Sequence, residues 1–124
     1  MNQKITLLSG AILGLLGVGL GAFGAHALKN LLTQNGRVET FELAVRYQFY
    51  HCLAILFVGI IMDKFSGSAI QWTPLLMLLG VILFSGSLYI YSLTNIKAFA
   101  MVTPIGGLFL LAGWAMLVYS IAIK

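Results

Sequence analysis

Charged side chains are scarce in this sequence. Only 8% of its 124 residues are Asp, Glu, Lys or Arg, and 60% are hydrophobic, whereas soluble domains average about 25% charged and about 45–50% apolar residues. So few charges do not cover the surface of a globule of this size, which places the remaining surface against lipid. The mean hydropathy of +1.02 also indicates a protein whose surface faces lipid. The composition therefore excludes disordered, fibrous and ordinary soluble proteins.

Basic residues form no patch, although the formal net charge is +4. The seven Lys and Arg residues are scattered singly along the chain, so we do not expect nucleic acid as a partner. Isolated cations beside apolar spans anchor those spans at lipid headgroups. Membrane lipids are the partners that this pattern predicts.

The groups that carry most enzyme chemistry are also missing. Cys52 is the single cysteine, and the three acidic residues are Glu39, Glu42 and Asp63. No Gly-x-Ser-x-Gly, His-Glu-x-x-His or Cys-x-x-Cys motif occurs, and Ser85 has no base near it in sequence. The sequence predicts a protein that is not an enzyme, with no catalytic residue, metal site or cofactor. Proton-coupled cation export is also disfavoured, because it needs an acid embedded in the membrane.

Long uncharged intervals dominate what is present. Lys4 and Lys29 are separated by 24 uncharged residues, and about 20 apolar residues in a helix cross the hydrocarbon layer. We predict an all-α integral membrane four-helix bundle in which residues 1–124 form a single transmembrane domain. Its location is the cell (inner) membrane, with several passes. The predicted membrane helices cover about 5–28, 42–62, 72–94 and 98–122.

The second interval is unusually short. Only 16 residues separate Arg46 from Asp63, so this helix must begin before Arg46 and carry the guanidinium inside the span. We expect the guanidinium to snorkel towards the interface or to pair with Glu42, which precedes it by one helical turn. Residues 29–41 predict a short interfacial helix between the first two membrane helices, and Gly36 is placed to end it.

Glycine recurs on one face of the first predicted helix. The spacings of four, three, four and three residues follow a heptad seam, along which only backbone lines the surface. Such a seam lets another helix approach closely in lipid. We expect packing within the bundle, with an oligomer seam or a ligand groove as alternatives. The seam consists of Gly10, Gly14, Gly17, Gly21 and Gly24.

Polar residues concentrate where the first two membrane helices meet. Ionisable groups inside a membrane are costly and are therefore candidate functional groups. These side chains either link helices through hydrogen bonds or form a ligand or ion site; ligation of a metal or haem by the two histidines is a further alternative. The predicted polar cluster consists of His26, Glu42, Arg46, Tyr47, Gln48, Tyr50 and His51.

Several local motifs resemble those of a known family, the bacterial domain-of-unknown-function family 423, which is similar to the eukaryotic transmembrane protein 256 family. The resemblance spans nearly the whole chain and implies a four-helix protein of the bacterial cell membrane without an established activity. The motifs are Gly-Ala-Phe-Gly-Ala-His-Ala-Leu (21–28), Ala-Val-Arg-Tyr-Gln-Phe-Tyr-His (44–51), Gly-Ser-Leu-Tyr (86–89), Thr-Pro-Ile-Gly-Gly (103–107) and Ala-Gly-Trp (112–114).

Two functions are compatible with these features. The first is a non-enzymatic membrane protein that acts by association with itself as a homo-oligomer, with lipid, or with a larger membrane complex. The alternative is a small transporter or channel for a small solute or ion, with the predicted polar cluster at its entrance. A water-accessible groove leading from that cluster towards Ser85, Ser87 and Thr103 would favour transport. Orientation stays open, because Lys and Arg residues divide almost equally between the two sides.

Overall fold

The computed structural model describes residues 1–124 and is entirely helical, without strands. This confirms the predicted all-α class. A 3₁₀ turn at Met62–Lys64 separates the third and fourth helices. The helices are α1 (Gln3–Ala25), α2 (Lys29–Asn35), α3 (Val38–Ile61), α4 (Ala69–Thr94), α5 (Lys97–Ala100) and α6 (Thr103–Ala122).

Four of the helices, α1, α3, α4 and α6, belong to segments that are long and apolar enough to cross a membrane. The predicted number of membrane helices is therefore confirmed. The second of them, α3, begins at Val38 rather than near residue 42, which places Arg46 two turns inside the helix. The fourth segment is interrupted before Thr103, and Pro104 lies in the first turn of α6, where its missing N–H leaves no helical hydrogen bond unmade.

The membrane helices pack mainly in chain order. Helix α1 packs on α3, α3 packs on α4, and α4 packs on α6, while contacts between helices further apart in this row are few. A core cluster where the helices meet includes Leu13, Ile55, Met77 and Leu110, one from each membrane helix. The row leaves α1 and α6 at the two edges, where most of their surface is free to face lipid.

The contact between α4 and α6 is the closest in the molecule. A Cβ atom added at Gly106 would collide with the backbone nitrogen of Phe84, and one at Gly113 would lie 2.7 Å from Cγ of Met77. In lipid, small residues permit this kind of approach, and the helices gain dispersion contacts from it. Glycine at these positions therefore sets the separation of the two helices.

Helix α2 ends as the sequence predicts. Gly36 follows its last residue with φ of 67°, a left-handed conformation that favours glycine. The adjacent Arg37 donates from Nε to Oδ1 of Asn95 at 3.0 Å, and its guanidinium lies 4.4 Å from the ring centroid of Tyr91. These contacts join the start of α3 to the end of α4 on one side of the bundle.

Candidate functional site

The glycine seam of α1 faces α3. A Cβ at Gly17 would lie 3.0 Å from Cε2 and Cζ of Phe49, and one at Gly10 would lie 2.7 Å from Cγ of Leu56. Gly24 faces the ring of Phe41. Gly14 and Gly21 have looser contacts, since a Cβ at Gly14 would lie 3.7 Å from Sγ of Cys52 and one at Gly21 would lie 3.5 Å from Cγ1 of Val45. Gly19, outside the seam, has no such neighbour within 4 Å.

Gln48 connects three helices through its amide. Its Nε2 donates to the backbone oxygen of Leu13 in α1 at 2.8 Å, and its Oε1 accepts from the hydroxyl of Tyr89 in α4 at 2.5 Å. The amide side chain is buried. Buried polar groups in a membrane protein need such partners, because lipid offers none. Gln48 is thus an interhelical connector in this structure.

His51 is held through both ring nitrogens. Nδ1 lies 2.8 Å from the backbone oxygen of Tyr47, and Nε2 lies 3.0 Å from Nε1 of Trp114 in α6. Because a carbonyl only accepts and an indole N–H only donates, the proton is on Nδ1 and the lone pair on Nε2 accepts from Trp114. A metal or haem iron would need that lone pair, which the indole already occupies. No three His, Cys, Asp or Glu side chains converge in the structure to hold a metal ion.

A groove opens sideways between α3 and α6, and we call it the α3–α6 groove. It has a volume of about 630 Å³. The Tyr47 ring stacks on Phe84 of α4 with centroids 4.5 Å apart, and the His51–Trp114 hydrogen bond crosses the groove. Such an apolar groove with a few polar groups is typical of sites for small ligands. Its lining residues are Tyr47, Tyr50, His51, Phe84, Pro104, Gly107, Leu108, Leu110, Leu111 and Trp114.

A second cavity lies where α1, α2 and α3 meet, and we call it the Arg46 cavity. Its volume is about 290 Å³. Glu42 and Arg46 are exposed side chains of its lining, and the predicted ion pair between them is not formed within 4.0 Å. The residues that line the cavity are Gly21, Gly24, Ala25, Leu32, Val38, Phe41, Glu42, Val45 and Arg46.

The structure divides the predicted polar cluster among these environments. Tyr47, Tyr50 and His51 share the α3–α6 groove. His26 is separate from them. It follows the end of α1 near Gly24, whereas His51 precedes Cys52, which faces Gly14. Gly14 and Gly24 are ten residues apart in α1, which corresponds to about 15 Å along the helix axis. The two histidines are therefore at different depths, because α3 begins earlier than expected and carries His51 deep into the membrane.

Two important side chains were absent from the predicted polar cluster. Tyr89 and Trp114 provide the partners of Gln48 and His51, yet they are 41 and 63 residues away in sequence. Both occur in motifs that carried the family resemblance, which is the one signal that selected them. Ser85 and Ser87 also make hydrogen bonds, with the backbone oxygen of Ala44 at 2.7 Å and with Thr103 at 2.6 Å respectively.

Comparison with known proteins matches residues 20–107 to a family described as "Protein of unknown function (DUF423)". The chain belongs to this family. It is 44% identical to a UPF0382 membrane protein of Staphylococcus haemolyticus, with 95% of each chain covered. It is also 41% identical to the UPF0382 inner membrane protein YgdD of Escherichia coli, covering all of this chain and 95% of YgdD. No solved structure matches.

Membership of DUF423 confirms the family resemblance. The matched region includes the motifs at residues 21–28 and 44–51. A third relative, the UPF0382 membrane protein YwdK of Bacillus subtilis, is 40% identical, with 95% of this chain and 96% of YwdK covered. The relatives' names and the four apolar membrane helices confirm the predicted multi-pass inner membrane location. None of these DUF423 relatives is named for an enzymatic activity.

Proposed function

We propose that this DUF423 protein is a non-enzymatic membrane protein that acts by binding other membrane components along its sides. The single observation that carries the proposal is the α3–α6 groove, which is large, mostly apolar and laterally open. A molecule or helix that diffuses in the hydrocarbon layer reaches such a groove directly, without leaving the membrane. Its aromatic lining offers the rigid contact surface that binding sites favour.

The interior hydrogen bonds support this assignment over transport. Gln48 and Ser85 are buried and donate to backbone oxygens of neighbouring helices. Ser87 bonds with Thr103. A transport path would need polar groups that exchange partners with water or solute, whereas these groups hold helices together. The same hydrogen bonds support a non-enzymatic role, since the hydroxyls of Ser85 and Ser87 bond to backbone or threonine oxygens and not to a base.

Native mass spectrometry of protein released directly from membranes tests the proposal. We expect the wild-type chain to retain a second copy, a different subunit or a bound lipid. Leu111→Trp fills the α3–α6 groove and should lower the retained fraction. Val118→Trp is the matched control, because Val118 is as exposed on α6 as Leu111, at 67% and 66%, but does not line the groove.

A bare monomer from wild-type membranes would contradict the proposal. Equal losses in the Leu111→Trp and Val118→Trp variants would contradict the assignment of the α3–α6 groove as the binding surface. Solute flux through liposomes that contain the protein, abolished by changes at Tyr47 and His51, would favour the transporter alternative instead.

A further inference from the structure

The charges in the Arg46 cavity have a definite order along the membrane normal. Helix α3 begins at Val38, on the side of the membrane where α1 ends, and runs inwards. Glu42 is therefore nearer the interface, and Arg46 lies one turn deeper, about 6 Å further along the axis. Both side chains lean towards the start of α3, because Cα–Cβ bonds in a helix point towards its N-terminus.

These two charges are available to an outside group. Both side chains are exposed and line the same cavity, and neither forms an ion pair within 4.0 Å. The other arginine nearby, Arg37, is already engaged with Asn95 and Tyr91. A guanidinium two turns inside a membrane helix needs a counter-charge or water to offset its desolvation. A lipid phosphate at the interface can supply this counter-charge.

We infer that the Arg46 cavity binds a phospholipid whose headgroup carries a primary ammonium beyond its phosphate, as in an ethanolamine phospholipid. Arg46 donates to the deeper phosphate, and Glu42 accepts from the outer ammonium. The order of charges in such a lipid, from the glycerol outwards, is negative and then positive, which complements Arg46 and Glu42 in turn. The two-carbon bridge of the headgroup suits charges that are one helical turn apart.

The walls of the cavity surround the headgroup of this lipid. Gly21 lies at the level of Val45, where a Cβ would be 3.5 Å from Cγ1 of Val45, so α1 presents only backbone beside the charged pair. Phe41 and Leu32 are buried apolar side chains of the same lining. Both lie at the level of Glu42 or nearer the interface, so they enclose the headgroup, while the glycerol and acyl chains continue inwards along the lipid-facing surface of α3. This inference rests on the proposed function, because it assigns one class of component to one lateral surface.

Competition between headgroups tests the inference. The full chain is placed in mixed detergent micelles with equal amounts of ethanolamine, choline and glycerol phospholipids that share the same acyl chains, and the bound lipids are counted by native mass spectrometry. Choline differs from ethanolamine by three N-methyl groups, which remove the donors that Glu42 requires. We expect about a two- to fivefold enrichment of the ethanolamine lipid over the choline lipid, the range of an exposed ionic contact.

Two single variants with their controls, and one double variant, assign the roles of Glu42 and Arg46. Glu42→Gln should reduce the ethanolamine-to-choline ratio to about one, and Arg46→Gln should lower the binding of all three lipids. The matched controls are Glu39→Gln and Lys29→Gln, which change the same charges outside the cavity lining. The double variant Glu42→Arg, Arg46→Glu keeps the net charge and reverses the order, so it should also lose the ethanolamine preference.

Equal binding of ethanolamine and choline lipids by the wild type would overturn the inference. It is also overturned if Glu42→Gln keeps the preference, or if Glu39→Gln loses it equally. In these cases, a wild-type chain that still retains lipid or a partner, but shows no headgroup preference, leaves the proposed function intact. A wild-type chain that retains nothing at all overturns both.

Discussion

The indole N–H of Trp114 donates to Nε2 of His51 at 3.0 Å, joining α6 to α3 across the α3–α6 groove. The contact matters because these two helices otherwise share few contacts and meet mainly through α4. His51 also bonds to the carbonyl of Tyr47 one turn earlier in α3, which fixes its ring. The groove therefore has a rigid cross-connection made from two side chains.

Removing the indole donor should destabilise the protein. Trp114→Phe leaves Nε2 of His51 without a partner, and we expect the free energy of unfolding to fall by about 1 kcal/mol. Unfolding by titration of a denaturing detergent into mixed micelles measures this change. Trp72→Phe is the control, because Trp72 has a similar exposed fraction, 52% against 44%, and makes no hydrogen bond in the structure. Equal effects of the two substitutions would show that the hydrogen bond contributes nothing.

Adjacent glycines at the start of α6 should respond in opposite ways to alanine. The added Cβ at Gly106 meets the backbone of Phe84, which cannot rotate away, whereas at Gly107 it lies 3.9 Å from a ring carbon of Phe84. We expect Gly106→Ala to lower stability by about 1–3 kcal/mol. Gly107→Ala should be neutral or raise stability by up to about 1 kcal/mol, because alanine favours a helix. Thermal unfolding of both variants in one detergent tests the contrast, and a stable Gly106→Ala protein would refute the close approach of α4 and α6.

Gln48 and Tyr89 should be energetically coupled. Gln48→Leu leaves the Tyr89 hydroxyl without its acceptor, and Tyr89→Phe leaves Oε1 of Gln48 without its donor. Each single change should lower stability, but the double variant should lose less than the sum, with a coupling of about 0.6–1.7 kcal/mol. A double-mutant cycle measures this quantity directly. Additive losses would indicate that the two side chains act independently.

Much of the fold was predictable because lipid restricts the possibilities. A membrane span needs a helix of a certain length with internally satisfied backbone groups, so the intervals between Lys4, Lys29 and the later charges sufficed to count helices. Gly36 identified the end of α2, since few residues adopt a left-handed conformation. The start of α3 was harder to place, because Glu39 and Glu42 resemble interfacial residues although they lie in its first turns.

The candidate site was less predictable for a different reason. Gln48 bonds to the backbone oxygen of Leu13, and residue types do not reveal a backbone acceptor. The indole of Trp114 reaches His51 across a long sequence separation, which only the packing of α6 decides. His26 and His51 looked like neighbours because both flank the same connection, yet antiparallel helices separate them by depth. The side-chain chemistry was visible in the sequence, but the pairing required the three-dimensional arrangement.

The row-like packing of the membrane helices has a mechanical consequence. An edge helix in a row detaches by breaking one main interface, while a helix in a closed ring must break two. Helix α1 can therefore separate from α3 while α4 and α6 stay joined through Gly106 and Gly113. We therefore expect local opening at an edge of the row to require less free energy than unfolding of the whole bundle. The Arg46 cavity lies in the interface that opens first if α1 is the edge that yields.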